Sequence, residues 1–291
     1  MSSATKTETV TPPPAPISLI PQGGFGGVLR QNLSDGGIVT WRNLMNVRRN
    51  PELLLGATIQ PIMFVLLFAY VFGGSFGGEA YREFLMGGIF AQTVAFNSAF
   101  TTIGMASDLQ KGVIDRFRSL PMSRMAVLLG RTVADMAVNA LGLLVMALCG
   151  LIVGWRIRGS FLDAVLGFAV LLLFGFAMSW IGALVGMLAG KVEVAQSAGF
   201  IWMFPVTFIS SAFVVQTTLP GPLRTFAEWN PVTAVADSAR NLFGNPALAG
   251  FERPSGWQAD NATLYALMCC AAIFVIFVPL AVAKYRKVAS K

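Results

Sequence analysis

Histidine is absent from this sequence of 291 residues, and charged residues make up only 12% of it. Soluble domains carry about 25% charged residues, so the low content argues against an ordinary soluble domain. Without histidine the chain lacks the most common general base and metal ligand. No cluster of carboxylates replaces it, and we therefore expect no catalytic residues and no metal site.

The sequence also lacks a phosphate-binding loop. Such a loop has the pattern G-x-x-x-x-G-K-[ST], in which backbone amides and the lysine hold the phosphates. The nearest stretch, Gly186 to Val192, has the wrong spacing and no hydroxyl group after Lys191. We therefore expect that the chain is not an enzyme, does not hydrolyse ATP and binds no cofactor itself.

Long apolar runs dominate the sequence instead, with 55% hydrophobic residues and a mean hydropathy of +0.66. A bilayer core about 30 Å thick is crossed by roughly 20 apolar residues in a helix. The runs are continuous, whereas the strands of a membrane barrel alternate apolar and polar residues, so we predict an all-α integral membrane fold. Six runs are long enough to be transmembrane helices: 53–72, 84–106, 132–155, 164–190, 195–219 and 262–283.

The basic residues predict the orientation of these six helices. If the amino terminus is inside, 15 of the 21 lysine and arginine residues lie in inner segments. Basic residues of short loops stay in the cytoplasm, so we expect both termini there and a multi-pass protein of the cytoplasmic (plasma) membrane. The net charge of +7 then reflects topology and contact with anionic membrane lipid, and it does not indicate a nucleic-acid partner.

Two amino-terminal segments precede the first predicted span. Residues 1–37 contain "TPPPAP" and "GGFGG" and are predicted to be a flexible cytosolic tail, which leaves 38–291 as one transmembrane domain. Within that domain, apolar residues that include Trp41 share one helical face, and arginines that include Arg42 share another. This pattern is typical of an amino-terminal helix that lies in the membrane interface.

A basic amphipathic stretch lies between the second and third spans. Leu109, Val113 and Phe117 recur every four residues, which places them on one side of a predicted helix over 108–120. Charged residues occupy another side of that helix. The residues alone leave two interpretations open: a connector in the membrane interface, or a docking surface for a partner protein.

The stretch Asp115 to Asp135, "DRFRSLPMSRMAVLLGRTVAD", resembles the cytoplasmic segment of ABC-2 type permeases, especially the daunorubicin-resistance and multidrug-efflux branch of actinobacteria. The resemblance extends over most of Trp41 to Lys291, including "EWNPVTAVADSARNLFGN" at Glu228 to Asn245. It implies a coupling helix that seats in a cleft of a separate ATPase subunit, which holds ATP and Mg²⁺. The residues that this role would use are Leu109, Val113, Asp115, Arg116, Phe117 and Arg118.

The long segment before the last span carries two further short helical patterns. Asn230 is a suitable N-cap for a helix that begins at Pro231, and Gly244 is placed to end it. A second amphipathic element is predicted from Gly221 to Trp229. Both are too short to cross a bilayer; they fit helices of an outer loop, whereas the family resemblance implies a re-entrant pair in the outer leaflet.

Within the fourth span, Gly182, Gly186 and Gly190 recur every four residues. Small residues at this spacing let helices approach closely, so we predict helix packing at all three positions.

Polar residues inside the spans should face other helices or a cavity, because lipid cannot satisfy their hydrogen bonds. Gln92, Asn97 and Thr101 lie near one face of the second span and are candidate contacts on a substrate pathway. Asp135 enters the third span one turn after Arg131, and we predict an ion pair between them.

The combined interpretation is a permease subunit of an ATP-driven exporter that moves an amphipathic drug or lipid. It would pair with an ATPase subunit and with a second permease subunit, either a copy or a paralogue. An alternative is a polysaccharide exporter permease of the same family, for which we would expect an aromatic-lined channel. A secondary transporter is the other alternative, but it would need charged residues at the membrane midplane or an inverted repeat, and neither is evident.

Overall fold

The computed structural model describes residues 37, 40–43, 45, 51–72, 79–113, 124–214, 216–245 and 255–288. Within these ranges every regular element is helical, so the all-α prediction is confirmed. Asp115, Arg116, Phe117 and Arg118 of the predicted coupling set lie outside the described residues. The α-helices are α1 (Pro51–Leu66, continued by a π-helical stretch Leu67–Phe72), α2 (Glu79–Gln110), α3 (Arg124–Val153), α4 (Phe161–Ala189), α5 (Val192–Phe208), α6 (Gly221–Glu228), α7 (Pro231–Phe243), α8 (Trp257–Asp260) and α9 (Ala262–Val288).

Among the described residues, three helical stretches are long and apolar enough to cross a membrane: Leu128–Val153, Phe161–Ala189 and Ala262–Val288. They belong to α3, α4 and α9. A shorter apolar helical stretch, Ile59–Val71, lies in α1. Large apolar side chains such as Ile152, Ile201 and Val275 point away from the bundle and are exposed. Such an exterior is suited to lipid and not to water, which agrees with an integral membrane protein.

The most polar long helix, α2, lies at the centre of the bundle, where α1, α3, α4, α5 and α7 all pack against it. Its buried polar residues include Gln92, Ser98 and Thr101. Neighbouring helices cover these groups, so α2 does not need the uniformly apolar surface of a lipid-facing helix.

Glycines of α4 allow its close approach to α2. A Cβ atom at Gly182 would overlap the carbonyl oxygen of Ser98, and one at Gly186 would overlap that of Thr102. Gly190 has a different role: it has φ +70, caps the carboxyl end of α4 and has open space around the position of a Cβ atom. Its conformation is left-handed, which glycine adopts without strain. Of the three regularly spaced glycines, two therefore allow helix packing and the third caps the helix.

Helix α5 is shorter than the predicted span 195–219. It runs over Val192–Phe208, about 26 Å at 1.5 Å per residue, and so it is somewhat shorter than a typical bilayer core. The apolar run continues beyond Phe208, but its backbone turns and forms only a 3₁₀ segment at Gln216–Thr218.

The short helix α7 has the boundaries that its sequence predicts. Asn230 accepts a hydrogen bond from the backbone N–H of Val232 at 2.8 Å, Pro231 is the first helical residue, and Gly244 closes the helix with φ +72. Helix α7 packs against α2, α4 and α9, and most of its side chains are buried. It therefore closes one end of the bundle, which we call the α7 end.

The opposite end holds the carboxyl end of α2 and the amino-terminal part of α3, and we call it the α2–α3 end. Thr40 donates a hydrogen bond to the carbonyl oxygen of Gly130 at 3.2 Å, so the amino-terminal helical residues lie here. Tyr285 of α9 joins the same buried cluster as Met105 and Leu128. Three basic segments of the chain therefore converge at the α2–α3 end.

Candidate functional site

A row of polar contacts joins α2 to α3 from the α2–α3 end toward the middle of both helices. It consists of three hydrogen-bonded pairs: Asp108 with Arg131 at 2.8 Å, Thr101 with Asp135 at 2.7 Å, and Asn97 with Asn139 at 2.5 Å. We call these six residues the polar seam. The residues of each helix recur at intervals of four or seven residues, so each set lies along one helical face.

Arg131 is shared between two acids. Its Nη1 lies 2.8 Å from Oδ2 of Asp108, and its Nε lies 3.5 Å from Oδ1 of Asp135. The predicted i,i+4 pair is thus confirmed, but the shorter contact is to Asp108 on the other helix. Gly104 makes room for the guanidinium group, because a Cβ atom there would overlap it. The arrangement neutralises the acid that lies within α3.

A cleft lies between α1 and α2 near the middle of both helices. Described residues that line it are Gln60, Pro61, Phe64, Gln92, Thr93, Phe96 and Asn97, around about 280 Å³ of free space that includes the open mouth. Gln60 is exposed at the mouth, whereas Gln92 is buried and has no hydrogen-bond partner among the described residues.

Aromatic rings connect the two walls of this cleft. A path of neighbouring rings runs from Phe64 through Phe213, Phe208 and Phe204 to Phe96, with centroid distances of 6.2, 5.7, 5.5 and 5.4 Å. All five rings are phenylalanines, which have no polar group. The path offers an apolar aromatic surface around the carboxamides of the cleft.

The structure brings together some of the predicted pathway residues. Gln92 and Asn97 both line the cleft, whereas Thr101 does not line it and donates its hydroxyl hydrogen bond to Asp135. Gln60 joins them from α1: as a polar residue in an apolar run it is expected to face another helix or a cavity, but only the packing of α1 on α2 places it beside Gln92.

The predicted coupling helix over 108–120 is interrupted near its beginning. Helix α2 includes Leu109 and ends at Gln110, and Gly112 has φ +62, which interrupts the helix before Val113. The half-buried side chain of Leu109 packs against the cluster of Met105 and Leu128. Leu109 therefore belongs to the membrane helix, and Val113 is the only other residue of the predicted set in the described ranges.

At the α7 end, a buried arginine joins three parts of the chain. Arg240 of α7 donates to the carbonyl oxygens of Phe84 and Ser211 at 2.7 and 2.6 Å, and to Asp237 at 2.7 Å. Its guanidinium carbon lies 3.7 Å from the centre of the Phe84 ring. The sequence does not indicate this cluster, because Phe84 and Ser211 are far from Arg240 along the chain.

The burial of Arg240 lowers the pKa of its guanidinium group, while the Asp237 carboxylate acts in the opposite direction. An arginine remains protonated in either case, so the cluster keeps its charge. Gln216 donates a further hydrogen bond to Asp237 at 3.1 Å. The cluster is fully paired, which fits a role in holding α7 against the start of α2.

Among the described residues, no group of three or more cysteine, aspartate or glutamate side chains is placed to hold a metal ion. The chemistry that the seam and the cleft offer is hydrogen bonding and apolar contact.

Comparison with known proteins identifies the family. Residues 36–243 match the ABC-2 type transporter family. The chain is 33% identical over 248 residues to the daunorubicin resistance ABC transporter permease protein DrrB1 of Streptomyces coeruleorubidus, covering 84% of each chain. It is 24% identical over 236 residues to the probable doxorubicin resistance ABC transporter permease protein DrrC of Mycobacterium tuberculosis, covering 78% of this chain and 84% of that protein. With its apolar membrane helices, the chain thus belongs to the ABC-2 type transporter family and is a multi-pass permease subunit, similar to permeases of drug-resistance ABC transporters.

Proposed function

We propose that the chain is the membrane subunit of an ATP-driven exporter that moves an amphipathic drug or lipid across a bacterial cytoplasmic membrane. It works with a separate ATPase chain, which holds ATP and Mg²⁺, and with a second permease subunit that is either a copy or a paralogue. Residues 38–291 form the permease domain, and the tail 1–37 precedes it in the cytoplasm.

The observation that carries this proposal is the polar seam. Its first pair, Asp108 with Arg131, lies where the coupling segment leaves α2 and returns into α3. Its last pair, Asn97 with Asn139, lies at the cleft between α1 and α2. A movement of the coupling segment would therefore displace both helices together and reach the cleft along the paired side chains of α2 and α3.

Contact with the ATPase is assigned to Val113, Asp115, Arg116, Phe117 and Arg118. Apolar side chains would bury in a cleft of the ATPase, and the arginines would fix the orientation. Leu109 lies at the edge of this surface, because its half-buried side chain also packs against Met105 and Leu128 of the permease.

The proposed topology has six crossings, with both termini in the cytoplasm. The convergence of three basic segments at the α2–α3 end supports this orientation. Helices α2 and α5 complete the six: α2 is shielded by its neighbours, and α5 is extended by the irregular backbone after Phe208. Helices α6 and α7 form the re-entrant outer pair, and the burial of α7 among α2, α4 and α9 supports this placement.

Aromatic rings are also what we expect of a polysaccharide channel, so the rings alone do not separate the two candidates. The scarcity of polar partners favours an amphipathic compound, because the hydroxyl groups of a sugar need hydrogen-bond partners and the five rings of this path are phenylalanines, which have no polar group. The cleft adds only a few carboxamides and one hydroxyl group. We therefore place the polysaccharide exporter second.

The function is tested by purification of the tagged chain from its native membranes, identification of any co-purified ATPase, and reconstitution of both in vesicles. We expect ATP-dependent movement of an amphipathic drug or fluorescent lipid, lost when the P-loop lysine of the ATPase is replaced by alanine. If the permease alone transports with a proton or sodium gradient and without ATP, it is a secondary transporter and the proposal is wrong.

A further inference from the structure

Two arginines without an acidic partner cover the carboxyl end of α3. Arg82 of α2 donates a hydrogen bond to the carbonyl oxygen of Val153 at 3.4 Å. Arg156 donates to the carbonyl oxygens of Leu151 and Trp155 at 2.6 and 2.9 Å. Neither arginine forms an ion pair with an acid among the described residues. The carbonyl groups at the end of a helix attract cations, so helix capping explains part of this arrangement.

Helix capping uses only a small part of the hydrogen-bonding capacity of these two side chains. A guanidinium group carries N–H donors on each of its nitrogen atoms. At Arg82 the contact with Val153 is long, and Nε is buried without a hydrogen-bond partner. The ring centre of Tyr70 lies 5.6 Å from the guanidinium carbon of Arg82. At Arg156 only Nη1 donates to a described residue. An anion with several oxygen atoms would satisfy the remaining donors.

The described acids beside these arginines are engaged elsewhere. Glu83 follows Arg82 in the chain but pairs with Arg158 at 2.6 Å. Asp163 accepts hydrogen bonds from the N-cap residue Ser160 at the start of α4. An ammonium group would therefore find no unengaged carboxylate among the described residues here, whereas an anion would find two arginines that lack a counter-charge. This difference favours a ligand with a net negative charge.

The two arginines lie at the depth of lipid phosphate groups. The apolar stretch of α3 ends at Val153 and that of α4 begins at Phe161, so the turn between them lies at one edge of the hydrocarbon core. The apolar side chains of Val71 on α1 and Ile152 on α3 are exposed beside this edge. A surface that joins unpaired arginines to exposed apolar side chains fits a phospholipid, with its phosphate on the arginines and its acyl chains along the helices.

The backbone around Arg156 is fixed by side-chain hydrogen bonds. Trp155 is buried and donates its indole N–H to Asn245 at 2.9 Å. Asn245 in turn donates to the carbonyl oxygen of Arg156 at 2.9 Å. Gly154 has φ +105, which allows the turn that precedes these residues. A ligand of Arg156 therefore meets a positioned backbone, which reduces the entropy cost of binding.

We propose that the outer ends of α1, α2 and α3 bind the phosphate group of an anionic phospholipid, held by Arg82 and Arg156. In the proposed topology this lipid belongs to the outer leaflet, on the side where few basic residues are expected. Arginine suits the role because its planar guanidinium group matches the geometry of phosphate oxygens. The site goes beyond the proposed export function, and its occupancy can be measured without transport.

The test measures the lipid composition beside the arginines. The reporter is Ile152→Cys, labelled with bimane, in a chain whose native cysteines are replaced by alanine; Ile152 is 84% exposed. The labelled protein is placed in phosphatidylcholine nanodiscs that contain a small fraction of nitroxide-labelled phosphatidylglycerol or nitroxide-labelled phosphatidylcholine. We expect quenching to indicate an enrichment of phosphatidylglycerol of about threefold or more, as two arginines at a membrane surface should produce. Leu264→Cys, exposed at the start of α9, is the control reporter and should show no such enrichment.

Substitutions of single arginines separate a site from a general effect of positive charge. Arg156→Gln and Arg82→Gln should each remove roughly half of the enrichment or more, since each takes away one of two cations. Arg156 is exposed, so this variant should fold even if Arg82→Gln does not. Arg158→Gln is the matched control: it removes one positive charge from the same turn, but that charge is already paired with Glu83, and the enrichment should persist.

Three results would overturn the proposal. They are equal quenching by the two lipids at Ile152→Cys, the same enrichment at Leu264→Cys, and a loss with Arg158→Gln as large as with Arg156→Gln. Glycerol 3-phosphate, added at millimolar concentration and constant ionic strength, tests the source of the phosphate. If it abolishes the enrichment, the arginines bind a soluble phosphate and the assignment to lipid is wrong; an unchanged enrichment supports the lipid.

Discussion

Arg131 of α3 donates a hydrogen bond to Asp108 of α2 at 2.8 Å, and this contact closes the base of the segment that joins the two helices. The side chains are 18% and 27% exposed, so the pair by itself stabilises the fold by about 1 kcal/mol or less. Its importance lies in its position, because Arg131 also lies 3.5 Å from Asp135 within the helix.

The substitution Arg131→Gln should therefore destabilise more than Asp108→Asn. The first removes the partner of both acids, whereas the second leaves Arg131 paired with Asp135. At about 2–4 °C per kcal/mol, we expect Arg131→Gln to lower the melting temperature by roughly 2–6 °C and Asp108→Asn by less. Thermal unfolding in detergent checks this, and the double variant should melt close to Arg131→Gln alone. An equal or larger loss for Asp108→Asn would show that Asp135 does not share the arginine.

The contact between α4 and α2 predicts a steric effect at Gly186. The variant Gly186→Ala places a methyl group against the carbonyl oxygen of Thr102 and should cost about 1–3 kcal/mol, because backbone must move. Gly221→Ala is the control, since a Cβ atom there meets nothing within 4 Å. The measurement is the melting temperature and the yield of monodisperse protein. If both variants melt alike, the two helices do not meet closely at Gly186.

Local signals in the sequence were sufficient for most helices, and for α7 even the cap residues were predicted. Asn230, Pro231 and Gly244 act within a few residues of their own positions, so their effects are visible in the sequence. The end of α5 was not predictable. Beyond Phe208 the run stays apolar, but the carbonyl oxygens of Ser211 and Ala212 accept hydrogen bonds from Arg240 instead of from a continued helix.

In the candidate site, too, the sequence predicts some residues and leaves the placement of others open. Gln92 and Asn97 were predictable because polar residues in an apolar run must face something other than lipid. The same argument applies to Gln60 in the first span, but its position beside Gln92 depends on the packing of α1 on α2, which no spacing along the chain indicates. The predicted helix over 108–120 is interrupted, because Gly112 adopts φ +62 between Leu109 and Val113, and the coupling role of these residues stays a prediction.

The buried cluster at the α7 end predicts a large loss of stability for Arg240→Met. Five hydrogen bonds of the guanidinium group disappear, and Asp237 is left without its cation, so we expect a cost near about 3 kcal/mol and a low yield of folded protein. The control is Arg158→Met, whose side chain is 57% exposed and pairs with Glu83. That exposed pair should contribute about 1 kcal/mol or less.

Melting curves of the two variants, measured side by side, decide the point. The double variant Arg240→Met with Asp237→Asn should recover part of the loss, since it removes the unpaired charge. If Arg240→Met melts no lower than Arg158→Met, the cluster does not hold α7 to α2.

The proposed six-span topology predicts different accessibility for two engineered thiols. In a chain without native cysteines, Ser255→Cys should react with an impermeant thiol reagent added outside intact cells, because it precedes α9 at the outer side. Ser119→Cys, which lies between α2 and α3 and outside the described residues, should react only after the membrane is opened. Equal labelling of both positions in intact cells would be incompatible with six spans.

The coupling assignment predicts that a substitution of Phe117 weakens binding of the ATPase but leaves the folding of the permease unchanged. If this side chain buries in the ATPase, Phe117→Ala should weaken association by roughly one to two orders of magnitude, because burial of a phenylalanine contributes about 1.5–3 kcal/mol. The permease itself should still insert and melt normally, since the residue lies outside the predicted spans. Pull-down of the cognate ATPase and the stimulation of its ATP hydrolysis in reconstituted membranes measure the effect.

Two controls distinguish this outcome from a general effect of alanine substitution. Leu109→Ala should lower the melting temperature of the permease alone, because Leu109 packs with Met105 and Leu128 within the bundle, and it should affect ATPase binding much less than Phe117→Ala does. Phe161→Ala removes a ring that is 87% exposed at the α7 end and should alter neither property. If Phe117→Ala binds and stimulates the ATPase as fully as Phe161→Ala, the segment between α2 and α3 is an interfacial connector. The ATPase must then contact the permease elsewhere, and the helical residues around Trp41, which share the α2–α3 end, become the next surface to test.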